Sequence, residues 1–334
     1  MVLFVSRTFD VFRRGIIEIV PTDQMIDSSR SLTERLRPSE WVLVAYFFYT
    51  ALLAQFFNLP LLDRVAAIAV PILLFLLVYL DSFNPRRWTS MVRDWAPSPL
   101  VLVAYWQLNW FQSPQHVEDL ERLWIGWDRT ILYDFGLRSG IESMGAVIPW
   151  ILELSYVLMY AIPPLSVAAL YIIRRRDRVD RFLFLFLLGT LSAYALLPYF
   201  PSGSPRVEHP LLDQPSIMTI WRRFNIFILS RGDIQTSVFP SGHVTASFSA
   251  AFAMMLALPE RKWFGRFLMM MAVLISIATV YGRYHYAADG LAGLMLSLMA
   301  LAVTVMFRRV VGLSDAPIPH APESEAVPSY PEAS

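Results

Sequence analysis

The sequence contains no cysteine, which excludes disulfides, thiolate metal ligands and cysteine nucleophiles. Charge is also scarce. Asp, Glu, Lys and Arg make up 16% of the 334 residues, where a soluble domain carries about 25%. The two signs nearly cancel to a formal net charge of +1, so no polyanionic partner is implied and no patch suits nucleic acid. No internal repeat is visible. Apolar residues fill the chain instead, at 56%, and they come in long runs without strand or helix alternation. That pattern belongs to a polytopic membrane protein.

Eight apolar runs lie at about 40–58, 65–83, 97–112, 146–172, 181–200, 243–258, 267–284 and 289–307. Each is near the roughly 17–25 residues that a helix needs to cross a bilayer. The expected fold is an all-α polytopic membrane helix bundle of about eight spans. Residues 1–39 form an N-terminal interfacial segment and residues 40–96 hold two accessory transmembrane helices. Residues 97–309 form a six-helix core, and the acidic, proline-rich residues 310–334 form a disordered tail. In the first segment Arg7, Asp10, Arg13, Arg14 and Glu18 interrupt the apolar residues. That suits an amphipathic helix lying on the membrane better than a secretory signal, with a frayed terminus as the plain alternative. Pro163-Pro164 should kink the fourth run, and the segment around His116–Trp124 reads as a further interfacial helix.

Basic residues set the expected orientation. With the N-terminus in the cytoplasm, 19 of the 28 Lys and Arg fall on the cytoplasmic side and 9 on the other. Both termini are then cytoplasmic, and the polar loops around Arg206, His243 and His285 face outward from a plasma or inner membrane.

Those three residues belong to the stretch that carries chemistry. Phe239-Pro-Ser-Gly-His243 opens the sixth run, and Pro240 suits the first turn of a helix, where its missing N–H is no loss. The N–H groups of Ser241 and Gly242 then form an anion site at a helix N-terminus. His243 stands beside it as a proton donor to a leaving oxygen. His285 and Asp289 are four residues apart, on one helical face, so the carboxylate can fix the imidazole tautomer and leave the other nitrogen as a nucleophile. Arg206 offers a permanently charged fork for phosphate oxygens, and Arg283 offers a second. Taken singly, each residue has an ordinary structural explanation, such as a satisfied interfacial histidine or a helix cap. Their convergence in an apolar chain is costly and marks function.

At these residues the sequence resembles the type 2 phosphatidic acid phosphatase (PAP2) superfamily, whose motifs are Lys-x6-Arg-Pro, Pro-Ser-Gly-His and Ser-Arg-x5-His-x3-Asp. The second is intact at Pro240–His243. The third keeps His285 and Asp289 but has Ala278 and Thr279 at its Ser-Arg positions, with Arg283 one helical turn beyond Thr279. The first keeps Arg206, with Tyr199 in the lysine position and Val207 in the proline position. These departures resemble the branch containing the fungal inositol phosphorylceramide synthases, as do Thr279-Val-Tyr281 and the two spans ahead of the core. The resemblance covers roughly residues 97–307. It implies an enzyme without cofactor or metal, acting on a lipid phosphate or phospholipid through a phosphohistidine at His285. Asp289 would orient that histidine and His243 would protonate the leaving group. Arg206, Arg283, Ser241 and Gly242 would hold the phosphate.

Transfer of a phospho-headgroup to a lipid or sugar hydroxyl is the favoured outcome, because a diester carries less charge and can dispense with one cation. Simple lipid phosphate or isoprenyl diphosphate hydrolysis is the alternative. A metal held by His243, His285 and Asp289 is a rival that the neighbouring Arg206 disfavours. An anion transporter is disfavoured by the lack of repeats. Tyr199, Tyr281 and Glu153 are further expected substrate-lining residues, Glu153 because an intramembrane carboxylate is a site candidate by default; an interhelical hydrogen bond is its plainer role. Trp106, Trp110 and Trp124 suit an interfacial aromatic belt.

Overall fold

In a computed structural model, residues 35–57, 59–83, 87–112, 118–234 and 236–311 are described. The interfacial helix expected within residues 1–34 and the tail beyond residue 311 lie outside them. Thirteen helices are numbered here in chain order: α1 Pro38–Leu53, α2 Leu61–Phe83, α3 Arg87–Trp95, α4 Pro97–Gln107, α5 Glu118–Arg129, α6 Leu137–Glu142, α7 Val147–Leu158, α8 Ile162–Ile172, α9 Val179–Leu196, α10 Ile220–Gly232, α11 Gly242–Ala257, α12 Lys262–Tyr281 and α13 Ala287–Val311. Among the described residues there is no strand. The expected all-α bundle is what forms.

Among the described residues, five stretches are long and apolar enough to cross a membrane: Leu61–Asp81, Val147–Ile172, Arg176–Tyr199, Pro259–Tyr281 and Ala287–Phe307. The other three expected runs, 40–58, 97–112 and 243–258, fall on shorter helices. α1, α4 and α11 are shorter, at 16, 11 and 16 residues. α1 gives way to turns after Leu53, and α4 passes into a 3-10 turn at Leu108–Phe111. α11 begins at Gly242, where the sixth run was expected, and ends at Ala257. α2 and α13 leave large apolar side chains exposed along one side, such as Ile68, Ile72, Leu76 and Leu80, and Leu291, Met295 and Leu298. Such stripes suit a lipid-facing surface.

α11 is the centre of the bundle and packs on α9, α12 and α13. Small residues permit this close approach. A Cβ on Gly189 of α9 would meet Ser249 Oγ at 2.0 Å, and Ala246, Ala250, Ala253 and Ala257 are buried on α11. α1 packs on α9, so Leu43 and Phe47 share one apolar core with Phe182 and Phe186. Around α3 the charges pair: Arg93 reaches Glu40 at 2.7 Å and Asp81 at 2.6 Å, and Asp94 takes Arg176 at 2.6 Å. The fourth run is kinked where expected, by a 3-10 turn at Met159–Ala161 just before Pro163-Pro164. The loop 201–240 contains a helix that the sequence reading missed, α10. Thr219 caps it by accepting the Arg222 N–H.

Candidate active site

The N-terminus of α11 forms one wall. Ser241 is the N-cap, and its hydroxyl accepts the Val244 N–H at 3.3 Å. Pro240 therefore precedes the cap instead of occupying the first turn. The Ser241 N–H is also spent, donating to the Asp289 carbonyl at 3.0 Å. The N–H groups left open at this helix end are those of Gly242 and His243, a shift of one residue from the expected anion site. Gly242 has no room for a side chain, since a Cβ would lie 2.7 Å from Tyr194 Cε1.

The loop between α12 and α13 carries His285. α12 closes with the Arg283 N–H on the Val280 carbonyl and the Tyr284 N–H on the Thr279 carbonyl, at 3.2 and 2.9 Å. This paired closure puts the residue just after the C-cap, the last but one of the closure, in the left-handed region, where glycine is usual. Arg283 occupies it, with φ 61°, at a cost of roughly 1–2 kcal/mol. Asp128, at the end of α5, holds it there. Its Oδ2 lies 2.5 Å from the fully buried Arg283 guanidinium, and its Oδ1 accepts the Ala287 N–H at 2.8 Å. One carboxylate thus pins both flanks of His285. Burial pushes the Asp128 carboxyl above its ordinary value, against the Arg283 charge and the Ala287 N–H.

His285 Nδ1 lies 3.0 Å from the Val238 carbonyl and 3.2 Å from Asp289 Oδ2. Both neighbours only accept, so Nδ1 carries the proton and Nε2 keeps its lone pair. Asp289 Oδ2 is itself fixed by the Tyr286 N–H at 3.0 Å. The His243 ring centre is 5.7 Å from that of His285. His243 stacks on Tyr156 at 4.7 Å, Tyr156 stacks on Tyr284 at 4.2 Å, and His243 Nε2 lies 3.2 Å from the Tyr160 hydroxyl. Behind this stack Glu153 accepts from Tyr284 at 2.6 Å, Asn225 at 2.7 Å and Arg222 at 3.0 Å.

A cavity of about 530 Å³ joins these groups. Its polar end is formed by Arg206, Asp233, His243, His285, Tyr105 and Tyr160. The other end is apolar, walled by Trp95, Leu102, Met159, Pro163 and Phe186. Trp95, at the end of α3, and Tyr105, on α4, both line the cavity.

Of the expected site residues, His285, His243, Gly242 and Arg206 line the cavity, while Asp289 and Ser241 stand directly behind its wall. Four others do not line it. Arg283 is turned to Asp128, Tyr281 hydrogen-bonds Glu142 at 3.2 Å, and Glu153 is held in the network behind the tyrosine stack. Tyr199 is 58% exposed and pairs with Tyr49 at 3.3 Å. Asp128, Asp233 and Tyr105 were missed as site residues. Tyr105 was hidden inside an apolar run, and Asp233 follows the unrecognised helix α10. Asp233 Oδ1 accepts the Tyr105 hydroxyl at 2.9 Å, and its Oδ2 lies 3.5 Å from Arg206. Burial pushes its carboxyl above the ordinary value, with Tyr105 and Arg206 opposing. The Arg206 Nε has no partner among the described residues.

A family model described as PAP2 superfamily matches residues 125–303, more than half of the chain. The chain belongs to the PAP2 superfamily. A PA-phosphatase related-family protein of Dictyostelium discoideum is 33% identical over 131 residues, which is 36% of this chain and 23% of that protein. The chain thus matches less than a quarter of that relative's length. No solved structure matches. Both histidines, Asp289, Arg206, Asp128 and Asp233 fall within the PAP2 match, whereas Tyr105 and the far end of the cavity at Trp95 precede it. A phosphatase-like bundle of membrane-crossing helices is therefore the setting of this site.

Proposed function

We propose that this PAP2 protein moves the phosphoryl group of a membrane lipid through a phosphohistidine at His285. The observation that supports it most is the state of that imidazole. Its Nδ1 is engaged by Val238 and Asp289, its Nε2 is free, and the ring lines a cavity shared with His243 and Arg206. In the first step Nε2 attacks phosphorus, the bond from phosphorus to the leaving oxygen breaks, and His243 gives that oxygen its proton. Arg206 and the open N–H groups of Gly242 and His243 stabilise the charge that develops on the phosphoryl oxygens. In the second step a hydroxyl attacks the phosphohistidine. His243 takes its proton, and the bond from phosphorus to Nε2 breaks. No cofactor is needed.

The apolar length of the cavity suits an acyl or isoprenyl chain, so the substrate is a lipid phosphate or phospholipid. The two hydroxyl sources are water, which gives hydrolysis, and a lipid or sugar alcohol, which gives transfer as in the inositol phosphorylceramide synthase branch. Transfer is the reading we favour, because no lysine stands in the cavity beside Arg206 and a singly charged diester asks for fewer cations than a monoester. The outward-facing site with both termini in the cytoplasm rests on the basic-residue count alone.

The test is a single-turnover reaction of the purified chain with lipid carrying labelled phosphate. Acid-labile label should appear on the protein and vanish in His285→Ala. Asp289→Asn should lower its rate by about 10²–10⁴-fold through loss of the correct tautomer. Equal labelling of His285→Ala would overturn the assignment.

A further inference from the structure

The carboxylate of Asp233 is out of place in a site built only for phosphate. It stands in the same cavity as Arg206, His243 and His285, and an incoming anion meets its repulsion. The opposing cation is weakly engaged: Arg206 lies at the long distance of 3.5 Å. Neither side chain is open to bulk water, with 20% of Asp233 and 17% of Arg206 exposed. Oδ1 is held by the Tyr105 hydroxyl at 2.9 Å, which fixes the carboxylate's direction and leaves Oδ2 with unused acceptor capacity. A donor reaching Oδ2 would relieve a carboxylate whose burial already penalises its charge. An uncharged hydroxyl supplies such a donor without adding to the negative charge in the cavity.

We infer that Asp233, aimed by Tyr105, is a hydroxyl-binding subsite beside the phosphoryl site, and that it accepts from the alcohol partner of the reaction. This rests on the phosphoryl-transfer reading above and deepens it. The alcohol is either a hydroxyl on the headgroup of a phosphodiester lipid or the hydroxyl of the acceptor. A substrate carrying a bare phosphate monoester gains nothing from Asp233 and, as a dianion, is repelled twice as strongly as a diester.

The test compares the full-length protein with Asp233→Asn and Tyr105→Phe in mixed micelles. In the first arm kcat/KM is measured for phosphatidylinositol and for phosphatidic acid. A headgroup hydroxyl predicts that Asp233→Asn lowers the ratio of the two by about ten- to a hundredfold, the loss expected for one hydrogen bond to a charged group. In the second arm labelled phosphatidic acid is the donor and glycerol the acceptor. An acceptor hydroxyl predicts a similar fall in the ratio of glycerol phosphate to free phosphate. Tyr105→Phe, which keeps the ring and removes only the hydroxyl, should shift the same ratio in the same direction by a smaller factor. A carboxylate that merely supports the fold would lower all rates in parallel, and unchanged ratios in both arms overturn the subsite. Absence of any turnover by the unsubstituted protein with every probe would instead sink the phosphoryl-transfer reading, and the subsite with it.

Discussion

The contact between Asp128 and Arg283 separates two roles for the arginine. The sequence suggested that Arg283 binds phosphate, whereas its guanidinium lies 2.5 Å from Asp128 with both side chains fully buried. Asp128→Asn leaves the Arg283 charge without its partner while preserving an oxygen for the Ala287 N–H. Removing one partner of a buried pair costs about 3–5 kcal/mol. The low end applies here, because Arg283 Nε and one terminal nitrogen have no partner among the described residues even in the intact pair. Arg283→Met strands Asp128 and should cost a similar amount, with the left-handed backbone strain unchanged. The double variant removes both charges and should be nearly as stable as the parent, so the coupling should approach the sum of the two single losses, about 6 kcal/mol. Independent sites add to within about 0.5 kcal/mol. Denaturant unfolding in micelles, followed by tryptophan fluorescence, measures all four proteins. Additive losses would refute the idea that Asp128 and Arg283 act as one clamp. Turnover of the double variant then decides the chemistry. A stable, active double variant means Arg283 serves only to hold the His285 loop. A stable but inactive one means the guanidinium also reaches the phosphoryl group.

Two further outcomes follow from groups on the loops between spans. Burial raises the Glu142 carboxyl, but the Ser216 hydroxyl and N–H, Arg138 and Tyr281 outweigh it, so its pKa lies below the ordinary 4.5. Stability from this depressed carboxylate is present above the unfolded value near 4.5 and is lost as pH falls through the folded value. The thermal stability gap between the parent and Glu142→Gln should therefore narrow below about pH 4.5, and a gap that widens on acidification would contradict the hydrogen-bond network around Ser216. For topology, Leu211 is 99% exposed in the 201–219 loop, whereas Gly203 is crowded by Glu208 at 2.1 Å from a built Cβ. In a chain without other cysteines, Leu211→Cys should react with an impermeant thiol reagent in intact cells. Labelling only after lysis would reverse the proposed orientation.

The sequence determined what depends on local order along the chain. Long apolar runs demanded helices, because a backbone in lipid must satisfy its own hydrogen bonds. The proline pair Pro163-Pro164 fixed the break at Met159–Ala161. The four-residue spacing of His285 and Asp289 anticipated their 3.2 Å contact, but not through the expected shared helical face: His285 precedes α13, and Asp289 in the first turn of α13 reaches back to it and to the Tyr286 N–H. Tertiary structure decided what depends on groups far apart in sequence. Tyr105 and Asp233 meet across 128 residues, and Asp128 and Arg283 across 155. Neither pair has a spacing that a helix or strand period could announce. Glu153 read as a site carboxylate because it sits in an apolar run, yet α10 folds over and satisfies it with Arg222 and Asn225. The Ser241 N–H read as free for an anion because a helix N-terminus leaves its donors open, until the Asp289 carbonyl arrived from α13 to take it. A local pattern specifies which groups need partners, and only the packed bundle specifies which partners reach them.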